Sequence, residues 1–97
     1  MIEPLIARID IHHTAGAYGY RVLADAQLLY EDAGLTSVAH CLAGAVEGLA
    51  PDVRAVEVAC GGIVSGTYPL RTLLGSAEQI AQHAVHTTAA VFEALRD

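Results

Sequence analysis

Between residues 38 and 49 the apolar side chains Val38, Cys41, Leu42, Ala45, Val46 and Leu49 return at spacings of three, one, three, one and three. On an α-helix that spacing gathers all six into one continuous stripe, whereas on a strand it would scatter them over both faces. The segment therefore reads as a helix with one face that has to be covered. Thr36 or Ser37 is placed to cap its first free amides, and Pro51 stops it. Gly44 and Gly48 each lower the intrinsic helix propensity by about 1 kcal/mol, so packing against another layer must hold the segment in shape.

Sequences on both sides of this helix supply that layer. Residues 5 to 12 alternate, with Leu5, Ala7, Ile9 and Ile11 pointing one way and Ile6, Arg8, Asp10 and His12 the other. This is the period of a half-buried strand. Thr14-Ala15-Gly16-Ala17 supplies a turn, because Gly16 takes positive φ without steric cost. A second strand follows over Gly19 to Ala24, with Tyr20, Val22 and Ala24 on one face. After a short break at Asp25-Ala26, Gln27 to Glu31 reads as a third. Beyond the helix, Val53 to Cys60 forms a fourth strand that turns Val56, Val58 and Cys60 to one side. Gly61-Gly62 is a two-residue hairpin signal, and Ile63 to Tyr68 is the return strand.

Pro69 and Gly75 bracket a connector whose Leu70, Leu73 and Leu74 are expected on the core. Ser76 followed by Gln79 matches a capping box and opens a last helix from Ala77 to about Leu95. Its expected apolar face is Ile80, Ala81, Ala84, Thr88, Val91, Phe92 and Leu95. The order of elements gives one α+β domain over residues 1–97: a two-layer sandwich of two helices on one face of an antiparallel sheet. The sheet has four to five strands in the pattern β-β-(β)-α-β-β-α.

A domain of this size cannot cover all the apolar residues this chain carries. A chain of 97 residues hides only about 60 to 65% of its unfolded surface. Yet 54% of the residues are hydrophobic and 16% charged, and mean hydropathy is +0.42. The surplus requires a self-association surface, a partner or an apolar ligand pocket. No uncharged run approaches the roughly 18 to 20 residues of a membrane-spanning helix, so no membrane is expected. Met1 to His13 lacks the pattern of a signal peptide, and a cytoplasmic location is the default expectation. Cys41 and Cys60 are accordingly read as reduced thiols. With Lys plus Arg at 5, Asp plus Glu at 11 and a net charge of −6, the chain lacks the clustered cations that nucleic-acid binding needs.

The chemistry-bearing residues form no strong motif. His12 and His13 end the first strand, where alternation sends the two rings to opposite faces, and either is a candidate general base because imidazole titrates near neutrality. Cys60 before Gly61-Gly62 is a candidate nucleophile only if something lowers its pKa. His83 and His86 stand at i and i+3 on the last helix, a spacing that can share a metal ion, although both fall on the polar face. Gly61, Gly62 and Gly66 do not make a phosphate loop, since a hairpin follows and no lysine does; no cofactor is expected. Tyr18, Tyr20, Tyr30 and Tyr68 lie in or beside strands and are candidate contact residues.

These features point first to a non-enzymatic interaction or ligand-binding domain that self-associates, as a dimer, through an apolar surface, with a protein or a small apolar ligand as a further partner. The alternative is a small enzyme with an interfacial site in which His12 or His13 is the general base.

Overall fold

The computed structural model describes residues 5–49 and 52–96. Its elements are β1 (Leu5–Thr14), β2 (Ala17–Ala24), β3 (Gln27–Leu35), α1 (Val38–Glu47), β4 (Val53–Cys60), β5 (Ile63–Pro69) and α2 (Leu70–Arg96). The five strands form one sheet in the order β3-β2-β1-β4-β5. Both helices pack on it, α1 against β1, β2 and β3 and α2 against β4 and β5, so the α+β architecture read from the sequence stands. Residues 50 and 51 are not among the described ones, so the role of Pro51 as a helix stop lies outside them.

The sheet is mixed where an antiparallel one was expected. The pairs β1–β2, β2–β3 and β4–β5 are antiparallel hairpins, but β4 lies beside β1 in parallel. The physical reason is the direction of travel. Two hairpins leave β3 running the same way as β1, and α1 carries the chain back to its starting end. The strand that follows must then run with β1, and α1 acts as a crossover helix.

Each hairpin turns through two residues with positive φ: Ala15 and Gly16, Asp25 and Ala26, Gly61 and Gly62. That is the backbone hand that matches strand twist in two-residue hairpins. Asp25 and Ala26 adopt it without a glycine, which places local strain at the β2–β3 turn.

The core lies between the helices and one face of the sheet. Ala7, Ile9 and Ile11 of β1, Tyr20 and Val22 of β2, and Val56 and Val58 of β4 meet Cys41, Leu42 and Ala45 of α1 and Leu73, Ile80, Ala81 and Ala84 of α2. The stripe that defined α1 is buried as expected from Val38 to Val46. Ser37 caps the helix, its Oγ accepting from the His40 amide at 3.0 Å.

The last helix departs from expectation at both ends. The connector 70–75 is itself helical, and the chain kinks at Ser76, with φ −137° and ψ 29°, before the long helical segment that the sequence opens at Ala77. Helical spacing turns Leu73 into the core, but Leu74 one position on faces outward and is 65% exposed. At the far end, Thr88 Oγ1, whose hydroxyl donates to the Ala84 carbonyl at 2.8 Å, lies 3.3 Å from the Cys60 carbonyl, so Thr88 stands level with the end of β4. Ala89 to Arg96 therefore run past the sheet for about 12 Å. Phe92 and Leu95, expected on the core, are 50% and 74% exposed there.

Candidate functional site

Two surfaces carry what the core leaves over: the helix-free face of the sheet and the distal half of α2.

On the helix-free face the strand pairing sets charged side chains in a row. Glu31 is paired with Arg21, Arg21 with Asp10, and Arg8, two residues along β1, with Glu57. The charges alternate in sign across four strands. Arg8 donates from Nε to Asp10 at 2.9 Å and from Nη1 to Glu57 at 3.0 Å, and Arg21 donates from Nε to Glu31 at 3.2 Å. The hydrogen bond to Asp10 is the main reason the Arg8 guanidinium holds its proton more tightly than usual. Two of the five arginines thus share one face, where three carboxylates match them. At this degree of exposure each pair is worth 1 kcal/mol at most, on the order of the usual surface value.

Two shallow hollows flank this row. One, of about 470 Å³, lies between Ile6, Leu23, Ala26 and the Arg8–Glu57 pair. The other, of about 540 Å³, is lined by Arg8, Asp10, His12, Thr14, Arg21 and the Gly61-Gly62 turn. His12 enters the second hollow because Gly19 lies opposite it on β2. A Cβ at Gly19 would stand 2.5 Å from His12 Cε1. The imidazole occupies the space where another residue would carry its side chain.

The remaining residues singled out in the sequence lie elsewhere. His13 is on the opposite, helix-bearing face, stacked on Tyr18 with ring centroids 4.4 Å apart; His12 and His13 are separated by the sheet, as alternation requires. Cys60 is a half-buried, free thiol on the core side, and Cys41 is free and buried. Burial pushes the Cys41 thiol up to about 11, with Cys60 and Asp32 adding to the effect.

The four tyrosines belong to the helix side. Tyr20 is buried and meets Tyr30 edge to face at 6.3 Å. The Tyr30 hydroxyl donates to the Ala45 carbonyl. Tyr18, Tyr30 and Tyr68 pack against the core at its margin. Gly44 of α1 and Gly48, the cap residue that follows it, are explained by these rings. A Cβ on Gly48 would sit 2.8 Å from Tyr30 Cζ, and one on Gly44 would touch the Tyr20 hydroxyl at 3.5 Å. Low helix propensity is the consequence of letting two rings lie against the helix backbone.

His83 and His86 are exposed on α2, where His83 Nε2 lies 3.5 Å from the Thr87 hydroxyl. Among the described residues no group of three His, Cys, Asp or Glu side chains is arranged to hold a metal ion.

The second surface was only partly visible in the sequence. Beyond Ala84 no residue of α2 is buried, yet Val85, Phe92 and Leu95 lie on this stretch. Val85 also lines a groove of about 340 Å³ between the helices, with Val38 and Ala39 of α1 and Ala81, Gln82 and His86 of α2. At the other end of the helix layer a wider groove of about 650 Å³ is bordered by Val46, Leu49, Val53, Leu70 and Leu74.

Among the described residues no helix is long and apolar enough to cross a membrane. No family model, no curated protein and no solved structure matches the chain.

Proposed function

We propose that the chain is a non-enzymatic interaction domain that self-associates as a dimer through apolar surface its own fold leaves open. One observation carries the reading: α2 continues beyond the sheet with Phe92 and Leu95 50% and 74% exposed, and Val85, just before the sheet ends, is 44% exposed. Helix propensity alone sustains an isolated segment of this length only marginally in water, and the exposed apolar area gains most from being covered by protein. The charged row on the helix-free face supports the same choice of surface. Burying ion pairs already satisfied within the chain costs more than burying side chains of the α2 type. The grooves at the two ends of the helix layer are the places for a further partner segment or a small apolar ligand.

Size-exclusion chromatography with light scattering tests this. A species of twice the 10.1 kDa chain mass at high micromolar concentration is the expected result, and a strict monomer there removes the reading.

A second reading is favoured by the hollow in which His12 meets Arg8, Asp10, Thr14 and Arg21. Convergent titratable groups in a concavity are what a small enzyme needs, and His12 would be its general base; His13, on the other face, would take no part. Turnover of simple ester, amide or phosphoester substrates that disappears in His12→Ala would favour it. Absence of turnover across such a panel would end it.

A further inference from the structure

The distal helix carries a second periodicity beside its core stripe. Glu78, Gln82, Val85, Ala89, Phe92 and Arg96 follow one another at spacings of four, three, four, three and four. The spacing is that of a coiled-coil seam, with Val85, Ala89 and Phe92 as its apolar middle and polar or charged residues at its ends. It is displaced to one side of the face that packs on the sheet, and toward the groove beside Val38 and Ala39. Glu78, Gln82, Val85, Ala89, Phe92 and Arg96 are all exposed.

Only one antiparallel register uses the whole seam. It sets Val85 against Ala89 of a second copy, Gln82 against Phe92, and Glu78 against Arg96, with each layer repeated by the twofold axis. Charge decides for it: the seam begins with a carboxylate and ends with a guanidinium, so antiparallel pairing closes both ends with opposite charges. A parallel arrangement would place Glu78 beside Glu78 and Arg96 beside Arg96. Shape agrees. The Phe92 ring, which rests against the Gly61 turn and is 50% exposed, comes level with Gln82 of the other copy. There the groove between α1 and α2, walled by Val38, Ala39, Ala81 and Val85, is open. The contact is isologous, the commonest closed form of self-association.

We infer that the occupant of this seam is a second copy of the chain, docked by antiparallel α2–α2 pairing with the exposed side of each Phe92 ring set against the interhelical groove of the other protomer. This rests on the self-association proposed above and adds its surface and register.

Sedimentation velocity on wild type and four variants tests it, with circular dichroism and urea midpoints verifying that each variant folds. Glu78→Arg and Arg96→Glu should each weaken the dimer about three- to tenfold, since each reverses two symmetry-related surface charge pairs. The double reversal should restore it to within about twofold. Phe92→Glu should weaken it about a hundredfold, as expected for an aromatic anchor in a pocket. Leu29→Glu on β3, half exposed and remote from the seam, should leave it unchanged. A wild-type dimer indifferent to Phe92→Glu and to both charge reversals would overturn the seam while leaving self-association intact. A wild-type monomer would overturn both.

Discussion

The imidazole of His12 lies over Gly19 on the neighbouring strand, in the space that a side chain at position 19 would fill. A glycine within a strand often marks a close approach, and here the approaching group is the ring that reaches the hollow beside Arg8 and Arg21. Gly19→Ala should lower stability by about 1 to 3 kcal/mol through overpacking. Pairing it with His12→Ala should recover most of that loss but not all, because the new Cβ would still stand 3.0 Å from the Asp32 carbonyl. Urea unfolding of the two single variants and the double variant measures this coupling; additive losses would mean that the ring does not occupy that space.

Tyr30 ties β3 to α1. Its hydroxyl donates to the Ala45 carbonyl, and its ring lies against Gly48. Removing the hydroxyl in Tyr30→Phe should cost about 0.5 to 1.5 kcal/mol, the usual net value of such a bond. Gly48→Ala should cost more than its helix-propensity gain returns, because a Cβ there would stand 2.8 Å from the ring. Stabilisation by Gly48→Ala in thermal unfolding would show that the ring moves aside freely.

The β2–β3 turn holds Ala26 at φ +63°, a region that alanine enters at a cost. Ala26→Gly should raise stability by about 0.5 to 1 kcal/mol, the relief exceeding the extra entropy glycine brings to the unfolded chain. A melting temperature unchanged or lowered by this substitution would contradict the strain assigned to the turn.

Cys41 makes the fold sensitive to alkali. Its thiol is raised in the folded state, to about 11, above an ordinary value of about 8.5. Between those values the unfolded chain has lost the proton that the folded chain keeps. Stability is therefore complete below about pH 8.5 and falls as pH rises toward and through the folded value. Tyr20 and Tyr30, both raised chiefly by burial, contribute in the same direction at higher pH. Urea midpoints measured from neutral to strongly alkaline pH should fall, and the fall should be smaller in Cys41→Ala. Equal slopes in the two proteins would remove Cys41 as the cause.

Much of this architecture was legible in the residues because period and burial agree. The alternation from Ala7 to His12 sorts the two sheet faces correctly, and the stripe from Val38 to Val46 identifies α1 and its buried side. Three features were not. The parallel neighbourhood of β1 and β4 depends on which edge α1 returns the chain to, and no local pattern encodes that. The break at Ser76 was marked in the sequence, but the segment before it is a short helix and not a loop, so its leucines follow helical spacing and Leu74 turns outward. Phe92 and Leu95 continue the periodicity of the core face past the point where the sheet ends, a length relationship that appears only once Thr88 is seen beside the end of β4. Of the candidate residues, His12 was placed on its face by alternation. Its seat on Gly19 was foreshadowed only by a glycine in the middle of a strand pattern.

A copy of the chain that covers the distal part of α2 must shield its amides from solvent. Hydrogen–deuterium exchange read by mass spectrometry at low and at high micromolar concentration tests this directly. Peptides from Val85 to Arg96, and those containing Val38 and Ala39, should gain protection as concentration rises, while the β2–β3 turn exchanges equally at both. The same exchange along α2 at every concentration, with the chain monomeric throughout, would contradict such coverage.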